Sequence, residues 1–245
     1  MSTSSPYVSV LTRKRAWTPT QVSKGSVKDG TSETLSRCLA LRHLELPVRD
    51  LLEAGLARDL PTTEGVVAAL KSNMADEERH DQALQFVVDA HGTEQATEQV
   101  GLGIRDAWVN HPDHPILKAA ILERSVFFVL LPFLRFAGDV GIRTVAADIS
   151  RDEQVHVAVH HMVASELGLK VSPSLNKLRK ATVEWVFTKL RSGPALEEGR
   201  LTKDYWLQAS DNLFERGKAP ELSATRSARM PAFFEASNVD LPSYG

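Results

Sequence analysis

The sequence predicts an all-α protein built on a four-helix bundle with a long crossover between its second and third helices. Three observations predict it. Apolar residues recur at three- and four-residue intervals in four long segments. No stretch alternates apolar and polar residues as a half-buried strand does. The longest connection falls in the middle of the four, as in bundles with a crossover.

The first helix is expected over about 32–57, stopped by Pro61, and the second over about 63–90, ended by His91-Gly92. The stretch that follows, with Gly101, Gly103, Pro112 and Pro115, reads as a loop. The third helix is expected over about 116–137, closed by Gly138, and the fourth over about 142–167, closed by Gly168. Pro47 and Pro132 lie inside the first and third, and each should kink its helix. Further amphipathic segments follow over about 175–190 and 203–216. The chain then divides into a flexible N-terminal arm (1–31, with the basic run 13–15 exposed), the bundle (32–169), additional C-terminal helices (170–216) and an extended tail (217–245). Met230, Phe233, Phe234 and Leu241 suggest that the tail packs on something.

Composition narrows the class. The 245 residues are 42% hydrophobic and 24% charged, ordinary for a globular protein. Twenty-nine basic residues against 31 acidic ones leave a formal charge of -2, so nucleic acid is not implied as a partner. The longest apolar run, from Ser125 to Leu134, is half the ~20 residues of a membrane span. With one cysteine, Cys38, and no secretory signal, the expected compartment is the cytoplasm.

The chemistry lies in the four helices. Their order of residues is Glu45, then Glu77 with His80, then Glu123, then Glu153 with His156, at Glu-to-Glu gaps of 32, 46 and 30. Residues three apart on a helix project from one face, so a Glu-x-x-His pair can reach one metal ion. Two such pairs, with one Glu from each of two other helices, give the four carboxylates and two imidazoles that hold paired iron or manganese ions in a bundle core. Each Glu lies on an apolar stripe, Glu45 with Cys38, Leu41, Val48 and Leu52, and Glu123 with Ile116, Ala119, Phe127 and Leu130. Four buried carboxylates facing one core repel unless cations neutralise them. A single Glu-x-x-His is expected by chance in this composition. Two, each preceded by Asp (Asp76 and Asp152), are not. Each Asp, four residues before a His, can hydrogen-bond the imidazole of the partner helix and fix its tautomer.

This arrangement resembles the ferritin-like di-iron carboxylate superfamily over about 32–169. Within it, DISRDEQVHVAVHHM and LERSVFFVLLPFLRFAGDVGI resemble the fourth and third ligand helices of class I ribonucleotide reductase small subunits. The resemblance implies Glu45, Glu77, His80, Glu123, Glu153 and His156 as six metal ligands and Asp152 as the partner of a ligand histidine. It also implies two Fe ions, or a Mn/Fe pair, that activate dioxygen to oxidise a small-molecule or protein-borne substrate with an electron donor. A homodimer is implied as well. One departure matters. Radical-bearing reductase subunits carry a tyrosine one turn after the first ligand His, and that position here is Leu84. The tyrosines are Tyr7, Tyr205 and Tyr244, all outside the bundle. An oxygenase or oxidase is therefore the first expectation. A divergent reductase small subunit serving a larger partner, a ferroxidase, and an assembly protein retaining the site are the alternatives. Leu84, Phe127, Phe128 and Leu130 could wall a dry cavity, although packing explains them as well. His160, one turn after His156, should face the core as a supporting histidine, with a third-imidazole role left open. His161 reads as surface, and Cys38 as a small core residue.

Overall fold

The computed structural model describes residues 5–190, 200 and 202–222. Its described residues are helical, with no strand among them. After α1 (Pro6–Leu11), the first bundle helix comprises α2 (Ser32–Ala40), a 3-10 turn (Leu41–Leu44) and α3 (Glu45–Leu56). The second is α4 (Val66–His91). The third comprises α6 (Pro115–Leu122), a π segment (Glu123–Phe127) and α7 (Phe128–Ala137). The fourth is α8 (Val140–Glu166), capped by the Asp139 side chain, which accepts from the Ile142 N–H at 2.9 Å. Each bundle helix packs on two others: α3 on α4 and α6, and α8 on α4, α6 and α7.

Both expected irregularities occur, next to metal-ligand candidates. Pro47 has no N–H for the carbonyl of residue 43, and the 3-10 turn ends at Glu45. Pro132 likewise leaves the carbonyl of residue 128 without its helical donor, and the π segment that begins at Glu123 ends immediately before that residue.

Two expectations are corrected. The crossover is a helix, α5 (Gln95–Val109), rather than a loop. Gly101 and Gly103 suggested breakage, but Gly101 is there for close packing. A Cβ on it would lie 2.8 Å from the Ala40 carbonyl oxygen. Arg42 then fastens α5 by an ion pair to Glu98 at 2.8 Å, and His43 Nε2 hydrogen-bonds the same carboxylate at 2.5 Å. Second, the N-terminal segment read as a flexible arm with an exposed basic run is packed where it is described. Tyr7, Val10 and Trp17 are buried, Tyr7 Oη donates to Glu166 at 2.6 Å, and Lys14 turns inward while Arg13 and Arg15 stay exposed. No periodicity marks this segment because α1 is only six residues long and the contacts after it come from isolated side chains on irregular backbone.

The C-terminal helices α9 (Pro173–Phe187) and α10 (Lys203–Arg216) pack on each other and on the π segment, around Phe133, Phe187 and Trp206. Ala219 and Leu222 are buried at the start of the segment read as a tail. The rest of that segment, with Met230, Phe233, Phe234 and Leu241, lies outside the described residues.

Candidate metal centre

The helices deliver the expected residues to one point. Glu77 and His80 stand on α4, Glu153 and His156 on α8, Glu45 opens α3, and Glu123 opens the π segment. All six are buried, the most exposed being Glu45 at 2%. Ligand atoms of Glu77, His80, Glu153 and His156 lie within 4.8 Å of one another. His80 Nδ1 stands 3.6 Å from Glu45 Oε2, 3.6 Å from Glu77 Oε2 and 3.3 Å from Glu153 Oε1. His156 Nδ1 stands 3.1 Å from Glu77 Oε1 and 3.6 Å from both Glu123 Oε1 and Glu153 Oε1. Each histidine thus faces a carboxylate from its own helix and carboxylates from two others.

The two aspartates do what their spacing predicts. Asp152 accepts from His80 Nε2 at 3.3 Å, and Asp76 accepts from His156 Nε2 at 2.9 Å, each across the α4–α8 interface. With Nε2 turned to its aspartate, Nδ1 is the nitrogen that points into the carboxylate cluster. His160 lies buried beside the cluster. Its Nδ1 donates to Glu123 Oε2 at 2.5 Å, and its Nε2 lies 3.2 Å from the Asn73 amide nitrogen. That pairing makes Asn73 the donor to Nε2 and fixes the tautomer.

A layer that sequence reasoning missed lies behind the aspartates. Trp17 Nε1 donates to Asp152 Oδ2 at 2.7 Å, and its ring stacks on His80 with centroids 6.1 Å apart. Lys14 Nζ pairs with Asp76. Arg79 Nη2 contacts Asp76 Oδ1 at 2.5 Å and Asp152 Oδ2 at 3.0 Å, and its guanidinium lies 5.4 Å over the Trp17 ring. The i,i+3 spacing of Asp76 and Arg79 is a sequence signal that could have pointed to this layer. Lys14 and Trp17 carry no such signal, because their partners lie far along the chain.

Electrostatics follow this geometry. Burial raises Asp76, but hydrogen bonds and charge from His156 and Lys14 outweigh it and hold its carboxyl well below the usual range. Asp152 is lowered in the same way, burial being outweighed chiefly by His80, with Trp17 helping. Burial lowers both imidazoles, yet the carboxylates around them push His80 and His156 well above the ordinary imidazole value. Glu45 moves up, chiefly by burial. Glu77 and Glu153 are lowered, the two histidines outweighing burial, so imidazoles and carboxylates are strongly coupled in this buried cluster.

The residues fit a pair of metal ions. Glu45 Oε2, both carboxylate oxygens of Glu77 and Glu153, Glu123 Oε1 and the Nδ1 atoms of His80 and His156 are buried without a hydrogen-bond partner. Eight such atoms, all of ligand type and clustered in one buried site, are a set that could hold metal ions. Lys14 and Arg79 already answer the two aspartates, so the four glutamates remain to balance two divalent cations.

Leu84, Phe127 and Leu130 are buried in the apolar core and Phe128 is half-buried. Cys38 is a buried core residue whose thiol burial pushes up, and His161 is exposed. Among the described residues no helix is long and apolar enough to cross a membrane.

No family model and no curated protein matches the chain. Among solved structures, the chain is similar to a crystal structure of a putative class I ribonucleotide reductase from Bacillus halodurans. The identity is 15% and the TM-score 0.53, over 96% of this chain and 95% of that one. The likeness is one of architecture at nearly equal length, and it shows that this chain has the ferritin-like helical fold.

Proposed function

We propose that the protein is a non-haem dinuclear metal oxidoreductase, Fe/Fe or Mn/Fe, that activates dioxygen to oxidise a substrate. The observation that carries the reading is the set of eight buried, partnerless ligand atoms backed by two crossed His–Asp pairs. Bound iron or manganese supplies the redox chemistry for such an oxidation. The protein's own residues do the rest. Asp76 and Asp152 hold the protons at Nε2 of His156 and His80, so both imidazoles present Nδ1. His160 and Asn73 orient Glu123 on the irregular π backbone, where a carboxylate can change position at low cost. Leu84, Phe127 and Leu130 belong to the apolar core that keeps water from the centre.

A second reading, a small subunit that supplies a radical or electron vacancy to a larger partner, is favoured by one observation. Trp17, 8% exposed, runs through Asp152 to His80 by hydrogen bonds of 2.7 and 3.3 Å. That chain offers a path for an electron between the surface side of the site and a candidate ligand. The description of the structural neighbour agrees with it. Leu84 occupies the position where radical-bearing subunits have a tyrosine, and Tyr244 lies outside the described residues.

One experiment tests the common core. The chain is loaded anaerobically with iron(II), with and without manganese(II), its metal content is measured, and absorption and electron paramagnetic resonance are followed on adding oxygen. Two metals per chain and an oxygen-dependent spectral change are expected. Fewer than one metal per chain overturns the reading. A persistent radical signal and co-purification with a large subunit would favour the second reading, and catalytic oxidation without either would favour the first.

A further inference from the structure

A cavity of about 230 Å³ is lined by Arg13, Arg15, Arg151, Gln154 and Val155. Three of its five lining residues are arginines, brought there by two separate elements, the irregular N-terminal segment and α8. Like charges gathered at one cavity repel unless something negative sits among them. Arg151 has one carboxylate neighbour, Asp148 at 3.0 Å, on its own helix. Arg13 and Arg15 have none among the described residues, although Lys14 between them turns inward to Asp76.

We propose that this cavity is an oxyanion site that takes a phosphate group. Three guanidinium forks match a tetrahedral, doubly charged phosphoryl group better than a planar, singly charged carboxylate. The Gln154 amide adds a neutral donor, and the volume accommodates one such group rather than an extended polymer. The backbone between Arg13 and Arg15 carries Lys14, and Trp17 follows two residues later, with both side chains on the aspartates behind the metal ligands. A phosphate bound by Arg13, Arg15 and Arg151 therefore clamps this segment onto α8, next to the outer layer of the metal site. The site does not depend on the oxidoreductase reading, because none of its lining residues is a candidate ligand.

The test is calorimetric titration of the full chain with inorganic phosphate, with a simple phosphomonoester and with acetate, all at matched ionic strength. Saturable phosphate binding with weaker acetate binding is expected. A loss of at least about tenfold in phosphate affinity is expected in Arg13→Gln/Arg15→Gln, whose changes are at exposed positions. Tighter binding of the phosphomonoester than of phosphate would identify an organic phosphate as the occupant, and the reverse would identify the free ion. The Glu77→Ala variant separates this cavity from the metal centre, since binding here persists in it. Equal binding of phosphate and acetate, unchanged affinity in the double arginine variant, or loss of binding only in Glu77→Ala would each overturn the proposal.

Discussion

Single residues settle how the candidate ligands are presented. His80 and His156 each have two nitrogens, and the aspartate of the opposite helix decides which one faces inward. Asp152→Asn replaces an obligate acceptor by an amide that can offer a donor to Nε2, so the imidazole loses its fixed tautomer. Metal affinity is expected to fall by about 10- to 100-fold, read by competition with a chelator. Glu77→Ala and Glu153→Ala should go further and abolish binding at the pair, with retained helicity by circular dichroism excluding simple unfolding. Unchanged metal content in either variant would remove that residue from the ligand set. His160→Phe leaves Glu123 Oε2 without its donor, and its effect is expected on the rate of the oxygen-dependent spectral change more than on metal content.

At the scale of elements, α5 and α10 hold the irregular turns that position Glu45 and Glu123. Gly101→Ala would drive a Cβ into the Ala40 carbonyl, one residue before the 3-10 turn, and is expected to cost about 1–3 kcal/mol by denaturant unfolding. On the other side, Ser210 Oγ donates to the Ser125 carbonyl in the π segment at 2.6 Å and accepts from buried Arg179 at 2.5 Å. Ser210→Ala removes the acceptor of Arg179 Nη1 and the donor to the Ser125 carbonyl, while Arg179 keeps Asn176 and Asp211, and should cost about 1–3 kcal/mol. Acid acts on the α5 anchor. Burial raises Glu98, but the hydrogen bond and charge of Arg42 outweigh it and bring the carboxyl down to about 2. An unfolded glutamate titrates near ~4.3, so this contact contributes stability in full above that pH and loses it as pH falls toward about 2. Thermal melts between those limits should show a steeper decline in the parent than in Glu98→Gln. Equal slopes would mean that the anchor carries no linkage.

Over the whole molecule, the four buried glutamates couple folding to cations. A metal pair bound only by the folded state should raise stability by about 2.7 kcal/mol at a hundredfold excess over its dissociation constant, and chelation should reverse it. Melting temperatures with and without chelator measure this, and identical values would contradict a site that binds through folded geometry. The C-terminal helices lie on the π segment and belong to the architecture around Glu123.

The sequence by itself determined the bundle and the six convergent residues, because helical periodicity and i,i+3 spacing are local. Glu77 and His80 share a helix face wherever that helix goes. It also marked both prolines, whose effect on their own helices is equally local. Only the tertiary structure decided that Gly101 belongs inside a helix, that Lys14, Trp17 and Arg79 stand behind the aspartates, and that Asn73 sets the tautomer of His160. The physical reason is distance along the chain. Trp17 meets Asp152 across 135 residues and Asn73 meets His160 across 87, and no periodicity relates such positions until the helices have packed.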